Sequence, residues 1–145
     1  MTREIRIAAP IERVWEVIVD YGRYPEFVPG VLSCRVVGEA GGARQVEYEV
    51  DLSVRRVRYV LAHREARPRR VEWSLVRGEL LARSEGSWEL AEDGGGTLAR
   101  YTVDVEIARP PLVPRFVIDR VAEELTRVQL PRTLEAFRAR AEGAP

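Results

Sequence analysis

The sequence contains no lysine, one cysteine, one histidine and no excess charge of either sign. Of its 145 residues, 23 are basic, all of them arginine, and 23 are acidic. Without lysine the chain has no Schiff-base nucleophile and no phosphate-loop lysine. One cysteine and one histidine exclude a disulfide within the chain and a cysteine–histidine zinc cluster. Because the net charge is zero, nothing favours binding to nucleic acid, and we expect no nucleic-acid partner, no metal and no cofactor.

Long apolar runs are also missing. No run approaches the length that spans a membrane, and residues 1–4 contain no apolar signal region. The composition, 46% hydrophobic and 32% charged, is typical of a globular protein. We therefore expect one domain over residues 1–145 with a cytoplasmic location.

The N-terminal residues predict one strand and two short helices. Residues 3–7 alternate in polarity, which indicates a strand that ends before Pro10. Apolar residues then recur with helical spacing over residues 11–18, so we expect an amphipathic helix that ends near Asp20. Residues 21–30 contain glycine and proline but also three aromatic side chains. This segment predicts a packed turn or a short helix.

Residues 31–107 alternate between apolar and polar positions, which indicates antiparallel strands that bury one face. The outward positions hold interleaved arginine and glutamate, as expected for cross-strand ion pairs. The predicted turns and breaks are at residues 41–42, 55–56, 67–69, 78 and 93–96.

One long helix is the only candidate to cover the apolar face of this sheet. It spans residues 115–141, roughly 40 Å at the rise of an α-helix. Pro131 lies inside it and should kink it. Its apolar stripe is predicted to contain Val117, Val121, Leu125, Val128, Leu134, Phe137 and Ala141.

The order of these elements resembles the helix-grip fold of the START and polyketide-cyclase superfamily, also called SRPBCC. Residues 20–29, DYGRYPEFVP, resemble the signature after the first helix in the coenzyme-Q-binding START-like branch. That branch also includes the ribosome-associating toxin relatives and proteins known as cyclase/dehydrase. Further similarities are the break at Gly78, the strand beginning at Trp88, residues 97–105 and residues 136–141.

This resemblance implies a single α+β domain. Its fold would be a curved antiparallel β-sheet wrapped around a long C-terminal helix, with two short helices after the first strand. The chain departs from the quinone-binding branch after Gly78, where residues 79–81 read ELL instead of a small residue and an aromatic. The charge of Glu79 at this position indicates a different ligand entrance.

The inward positions of the sheet favour an internal cavity, because the small residues Ser84 and Gly86 stand beside bulky aromatics. The alternative is that these small residues let the long helix approach closely. Aromatic walls suit a flat apolar ligand. The candidate ligand-binding residues are Phe27, Tyr48, Tyr59, His63, Trp73, Leu75, Ser84, Gly86, Trp88, Tyr101, Val121 and Leu125.

His63 faces inward by strand parity, and it would there donate a hydrogen bond to a ligand carbonyl or act as a general base. The turn at residues 67–69 follows closely, however, and favours the alternative of a solvated residue at the end of a strand. Candidate catalytic residues are His63, Tyr48, Tyr59 and Tyr101. By the same parity no Asp, Glu or Arg points inward, which favours binding over catalysis.

The leading hypothesis is therefore binding or carriage of a hydrophobic small molecule, such as an isoprenoid quinone, a lipid or a polyketide-like compound. One alternative is a polyketide aromatase/cyclase or dehydrase-type enzyme that uses Tyr and His in the cavity. Another is a protein-interaction, ribosome-associating module. The Arg-rich hairpin, residues 55–70, suits a solvated outer face better than a transient contact with a membrane surface.

Overall fold

A seven-stranded antiparallel sheet makes up most of the computed structural model, which describes residues 1–143. The strand order is β1-β7-β6-β5-β4-β3-β2, so β2 to β7 form a meander and β1 pairs with the last strand. The predicted antiparallel sheet is thus confirmed. The strands are β1 (Thr2–Ile7), β2 (Val31–Ala40), β3 (Ala43–Asp51), β4 (Arg56–Ala66), β5 (Arg70–Gly78), β6 (Leu81–Asp93) and β7 (Gly96–Ile107).

The two faces of the sheet follow the alternation in the sequence. In β3, Val46, Tyr48 and Val50 are buried, while Glu47 and Glu49 lie on the opposite face. The outer glutamates pair with arginines of the neighbouring strands, for example Arg35 with Glu47 at 3.1 Å. Such exposed pairs contribute little to stability.

The sheet is curved, and four interruptions in the strand register contribute to its bend. Register shifts occur between Val31 and Ser33, between Val36 and Gly38, between Val60 and Leu61, and between Leu81 and Arg83. An extra residue on one strand of a pair bends that strand and increases its twist. The sheet therefore curls around the C-terminal helix, as the helix-grip fold requires.

The two short helices after β1 are present as predicted. Helix α1 (Ile11–Val19) buries Val14, Trp15 and Ile18 against the core. A 3₁₀ helix, Tyr21–Glu26, follows it. The turn before α1 is tied to β7, because the Thr97 hydroxyl donates a hydrogen bond to the Ala9 carbonyl at 2.8 Å.

The C-terminal helix contains a turn of π-helix. Its parts are α2 (Arg115–Glu123), the π-helical turn (Glu124–Gln129) and α3 (Leu130–Glu142). Pro131 follows this turn; it has no N–H to donate to residue 127, and its ring would clash with that carbonyl in a regular α-helix. The predicted kink at Pro131 stays a prediction. No helix within residues 1–143 is both long and apolar enough to cross a bilayer.

The extra residue of the π-helical turn changes which side chains face the sheet. The Gln129 side chain is buried, with 8% of its surface exposed. Regular helical spacing places Val128 on the inner stripe, but Val128 is only partly buried. A π turn hydrogen-bonds across five residues instead of four, as Leu130 does to the Leu125 carbonyl. The placement of Val128 in the apolar stripe was wrong for this reason.

Gly86 does not leave open volume on the inner face, which corrects the sequence-based expectation. A Cβ at this position would lie 2.3 Å from Cζ2 of Trp73 and 2.4 Å from the Thr102 carbonyl oxygen. The Trp73 indole therefore lies directly over Gly86 and occupies the space that a side chain would take. Gly86 permits the Trp73 side chain, and not the C-terminal helix, to pack closely against the backbone of β6.

We predict that Gly86→Ala destabilises the fold by about 2 kcal/mol, because Trp73 or the β7 backbone must move to admit a methyl group. Gly22→Ala is the matched control, since a Cβ there meets no atom within 4 Å. Its unfolding free energy in urea should stay within about 0.5 kcal/mol of wild type. A Gly86→Ala protein as stable as wild type would contradict the packing of Trp73 on Gly86.

Candidate functional site

An internal cavity of about 130 Å³ lies between the inner face of the sheet and the C-terminal helix. Its wall is formed by apolar and aromatic side chains from α1, from β2 to β7 and from the C-terminal helix. Nine of the twelve residues predicted to bind a ligand line it, namely Tyr48, Tyr59, His63, Trp73, Ser84, Trp88, Tyr101, Val121 and Leu125.

The other three predicted residues do not line the cavity. Phe27 packs edge-on against Phe137, with ring centroids 5.2 Å apart, and the Arg140 guanidinium lies 5.0 Å from its ring centroid. Leu75 is partly buried and packs against the apolar core from β5. Gly86 lies beneath the Trp73 indole, as described above.

Gln129 and Leu80 belong to the wall, and periodicity did not reveal either of them. The Gln129 amide donates a hydrogen bond to the Pro29 carbonyl, which joins the C-terminal helix to the loop before β2. Gly30 follows with a φ of 81°, and a Cβ there would lie 2.8 Å from Oε1 of Gln129. Gln129 points inward only because of the π-helical turn. The one feature of the sequence that could have indicated this irregularity is Pro131, two residues later.

Leu80 has a φ of 58° in the turn between β5 and β6, and its side chain is buried in the cavity wall. Glu79, its neighbour, is exposed, and its carboxylate accepts a hydrogen bond from the Arg58 backbone N–H at 2.9 Å. The Glu79 carboxylate, which the quinone-binding branch lacks at this position, therefore points outward. An apolar leucine faces the cavity instead.

His63 is buried in the wall and is not a solvated strand end, so the favoured alternative was wrong. Its side chain is 4% exposed, because β4 continues without a change of phase to Ala66. Nε2 lies 2.8 Å from the Tyr48 hydroxyl, and the ring lies between Tyr21 and Trp73, at 4.7 and 5.9 Å between centroids. Burial lowers the pKa of His63 to about 3, so the imidazole is neutral near neutral pH.

The tyrosines of the wall are neutral for the same physical reason. Tyr48 stacks on Tyr59 with centroids 5.1 Å apart, and Tyr101 lies between Trp73 and Trp88. Burial raises the pKa of each of the three phenols above its ordinary value. Their hydroxyl groups therefore keep their protons and serve as hydrogen-bond donors and acceptors, not as bases.

Within residues 1–143, no Asp, Glu or Arg side chain contributes to the cavity wall. The polar groups on the wall are the hydroxyls of tyrosine, serine and threonine, the indole N–H groups, the His63 imidazole and the Gln129 amide. Such a set binds an uncharged molecule through hydrogen bonds. A buried ionic ligand would have no counter-charge on this wall.

The Arg-rich hairpin lies outside, and several of its arginines are paired with carboxylates. Arg58 is 2.5 Å from Glu49, and Arg67 is 2.6 Å from Glu12. A wide depression of about 400 Å³ lies on this outer face and is open to solvent. Its borders are mixed in charge, with Arg64, Arg70, Glu72, Glu85 and Asp104.

The buried, neutral His63 predicts a distinct pH dependence of stability. Because its pKa is about 3 in the folded protein and about 6.5 when unfolded, the unfolded chain takes up the proton first as the pH falls. Relative to a His63→Gln variant, wild type should lose about 2 kcal/mol of unfolding free energy between about pH 7 and pH 5. Urea titrations of both proteins measure this, and carboxylate effects cancel in the difference. Parallel pH profiles would show that the imidazole is not buried in this way.

Known structures of similar fold include proteins with different recorded activities. The Zhui aromatase/cyclase from Streptomyces sp. R1128 matches with a TM-score of 0.85 and 18% identity over 98% of this chain and 92% of that chain. A START superfamily protein from Mycobacterium smegmatis matches with a TM-score of 0.78 and 21% identity over 98% and 96%. A STAR-related lipid transfer protein from Xanthomonas axonopodis matches with a TM-score of 0.67 and 16% identity, over 98% of this chain and 85% of that chain. At these identities the similarity shows the shared fold alone.

No match to this chain is found among the curated proteins. The family profile described as "Polyketide cyclase / dehydrase and lipid transport" covers residues 1–142, nearly the whole sequence. The chain is therefore a member of the polyketide cyclase / dehydrase and lipid transport family.

Proposed function

We propose that this protein binds or carries a compact, uncharged hydrophobic molecule in the cavity between the sheet and the C-terminal helix. The observation that supports this most directly is the wall itself, which is apolar and aromatic and holds only neutral polar groups within the described residues. Ligand sites of this kind are mostly apolar with a few polar groups that fix orientation.

The volume of the cavity limits the part of a ligand that this conformation of the protein holds. At about 130 Å³ it is close to an engineered apolar cavity of about 150 Å³ that holds benzene, and smaller than most ligand pockets. One ring therefore fits inside. The ring of an isoprenoid quinone or of a polyketide-like compound meets this limit, whereas an isoprenoid or acyl chain requires the helix and the sheet to separate.

The contact between Gln129 and Pro29 is a suitable place for that separation. It is a side-chain hydrogen bond from the π-helical turn to the loop before β2, and both Gln129 and the neighbouring Val28 line the cavity. Single π-helical turns inside α-helices are frequently found at functional sites. A lipid or a quinone tail would pass here.

An aromatase/cyclase or dehydrase-type activity is the second candidate, and the pair of Tyr48 and His63 favours it. A tyrosine hydroxyl beside a histidine can polarise a carbonyl group. The low pKa of His63 makes the imidazole a weak base, however, and the wall offers no carboxylate to replace it. Binding is therefore the better-supported function, and turnover of a polyketide-like substrate would show the second.

Four of the seven arginines of the Arg-rich hairpin, namely Arg58, Arg67, Arg69 and Arg70, lie beside carboxylates. A basic surface that binds lipid headgroups or RNA needs unpaired cations, and within the described residues only Arg55, Arg56 and Arg64 of the hairpin form no salt bridge. We leave a membrane contact and a ribosome-associating role out of the proposal. The cytoplasmic location stays a prediction from the sequence.

Filling the cavity should abolish binding while the fold persists. Ser84 is on the cavity wall and 7% exposed, so the ring in Ser84→Phe would occupy the space of a ligand. We expect toluene to bind wild type and to bind this variant at least about tenfold more weakly. Methyl NMR spectra during titration with toluene measure both, and mass spectrometry of organic extracts from native cells identifies the natural ligand.

Ser74→Phe is the control, because Ser74 is exposed on the outer face of β5. It should bind toluene as wild type does. If wild type binds neither toluene nor any apolar compound from cells, the proposal is wrong. If the two phenylalanine variants lose binding equally, the cavity is not the binding site.

A further inference from the structure

His63 is buried with one ring nitrogen unpartnered. Among the buried side-chain nitrogen and oxygen atoms of residues 1–143, only His63 Nδ1 lacks a hydrogen-bond partner in the protein. The Tyr21 hydroxyl, on the ring that packs against His63, donates to Glu65 at 2.8 Å and is not available to it. An unpaired buried polar atom is uncommon enough in folded proteins to require an explanation.

The unpaired nitrogen indicates where the imidazole proton lies. A neutral histidine carries one N–H, and its other nitrogen is an acceptor. An unpaired, buried N–H group is rarer than an under-used acceptor, because the N–H loses a strong hydrogen bond to water. The proton is therefore better placed on Nε2, where it has a partner, and Nδ1 is the bare acceptor.

This tautomer fixes the direction of the hydrogen bond to Tyr48. With its proton on Nε2, His63 donates to the Tyr48 oxygen at 2.8 Å, and the phenol does not use its own hydrogen there. Cys34 lies opposite Tyr48 in the β2–β3 pairing, and burial raises the pKa of its thiol to about 12, so the sulfur stays protonated and is a weak acceptor for the Tyr48 O–H. The Tyr48 O–H is then the free donor of the pair, on a wall that both residues line.

We propose that His63 is a positioning residue that accepts no proton and holds the Tyr48 oxygen, so that the Tyr48 O–H binds a carbonyl oxygen of an uncharged ring ligand. The ligand class is then a cyclic or aryl ketone or a quinone, in preference to a hydrocarbon of the same shape. This inference rests on the proposed binding function and names the ligand chemistry within it.

The absence of charge on the wall supports an uncharged ligand. A carboxylate or phosphate placed at Tyr48 would be buried without a cation, since no arginine of the described residues reaches the cavity. A ketone needs only the single donor. Tyr59 stacks on Tyr48 and would lie against the flat face of such a ligand.

The tautomer is measured directly in the wild-type protein. The chain has one histidine, so a long-range ¹H–¹⁵N spectrum of the imidazole contains signals of His63 alone. We expect the pattern of a neutral ring with its proton on Nε2. A proton on Nδ1 would overturn the proposal, because Tyr48 would then donate to His63 and have no hydrogen for a ligand.

The ligand preference is measured with acetophenone and ethylbenzene, which have similar shape and differ in the carbonyl oxygen. The ratio of their dissociation constants in wild type is compared with the ratio in Tyr48→Phe. Loss of the hydrogen bond should shift that ratio about tenfold against the ketone. Tyr21→Phe is the matched control and should shift it less than about twofold, because Tyr21 does not line the cavity and its hydroxyl donates to Glu65.

The outcomes separate this inference from the function on which it rests. If both probes bind and Tyr48→Phe leaves their ratio unchanged, the cavity binds ligands but Tyr48 is not the carbonyl donor. If neither probe binds wild type, the binding function fails as well. Should Tyr48→Phe not fold, the imidazole spectrum of wild type still decides the direction of the hydrogen bond.

Discussion

The requirement that one helix cover a seven-stranded sheet determines the rest of the structure. Seven strands span roughly 30 Å, whereas a helix is about 10 Å wide, so the C-terminal helix cannot fill the interior of the curled sheet. Aromatic side chains supply the remaining volume. Phe137 is the centre of this packing, with centroids 5.2 Å from Tyr24 and 5.3 Å from Trp88. The cavity remains between these aromatic side chains and Val121, Leu125 and Gln129 of the C-terminal helix.

Burial then decides the chemistry of the wall. Taking a charge out of water is costly, and within the described residues the ionisable groups of the wall are held in their neutral forms: His63 stays deprotonated and the phenols stay protonated. The same desolvation that removes a strong base strengthens every hydrogen bond made inside. This combination suits recognition and polarisation of a neutral polar group better than proton abstraction. The wall therefore favours binding, although the fold is shared with an aromatase/cyclase.

The sequence allowed the sheet and the covering helix to be predicted, because alternation and helical spacing persist over long segments. It failed where backbone geometry overrides periodicity. His63 was assigned to solvent because the turn at residues 67–69 is close, but β4 keeps its phase to Ala66. Gln129 lies inward only because the π-helical turn shifts the helix by one residue. From the sequence alone, Gly86 predicts empty space on the inner face of the sheet. Only the orientation of the Trp73 side chain shows that this space is filled.

The cavity and the unpaired nitrogen both lower the stability of the unliganded fold, which is an argument for their use. An apolar cavity of this volume costs about 3 kcal/mol at the rate found for engineered cavities, a large part of the roughly 5–15 kcal/mol that stabilises a domain. A leucine or phenylalanine at Ser84 would remove much of that cost. His63 leaves its Nδ1 without a hydrogen-bond partner, and an apolar residue in its place would remove the cost of burying that atom. A ligand that fills the space recovers the lost packing contacts. Nδ1 stays without a partner in that complex, because a ketone has no hydrogen to donate, and its use is to keep the imidazole proton on Nε2. Packing alone gives no reason to keep either feature.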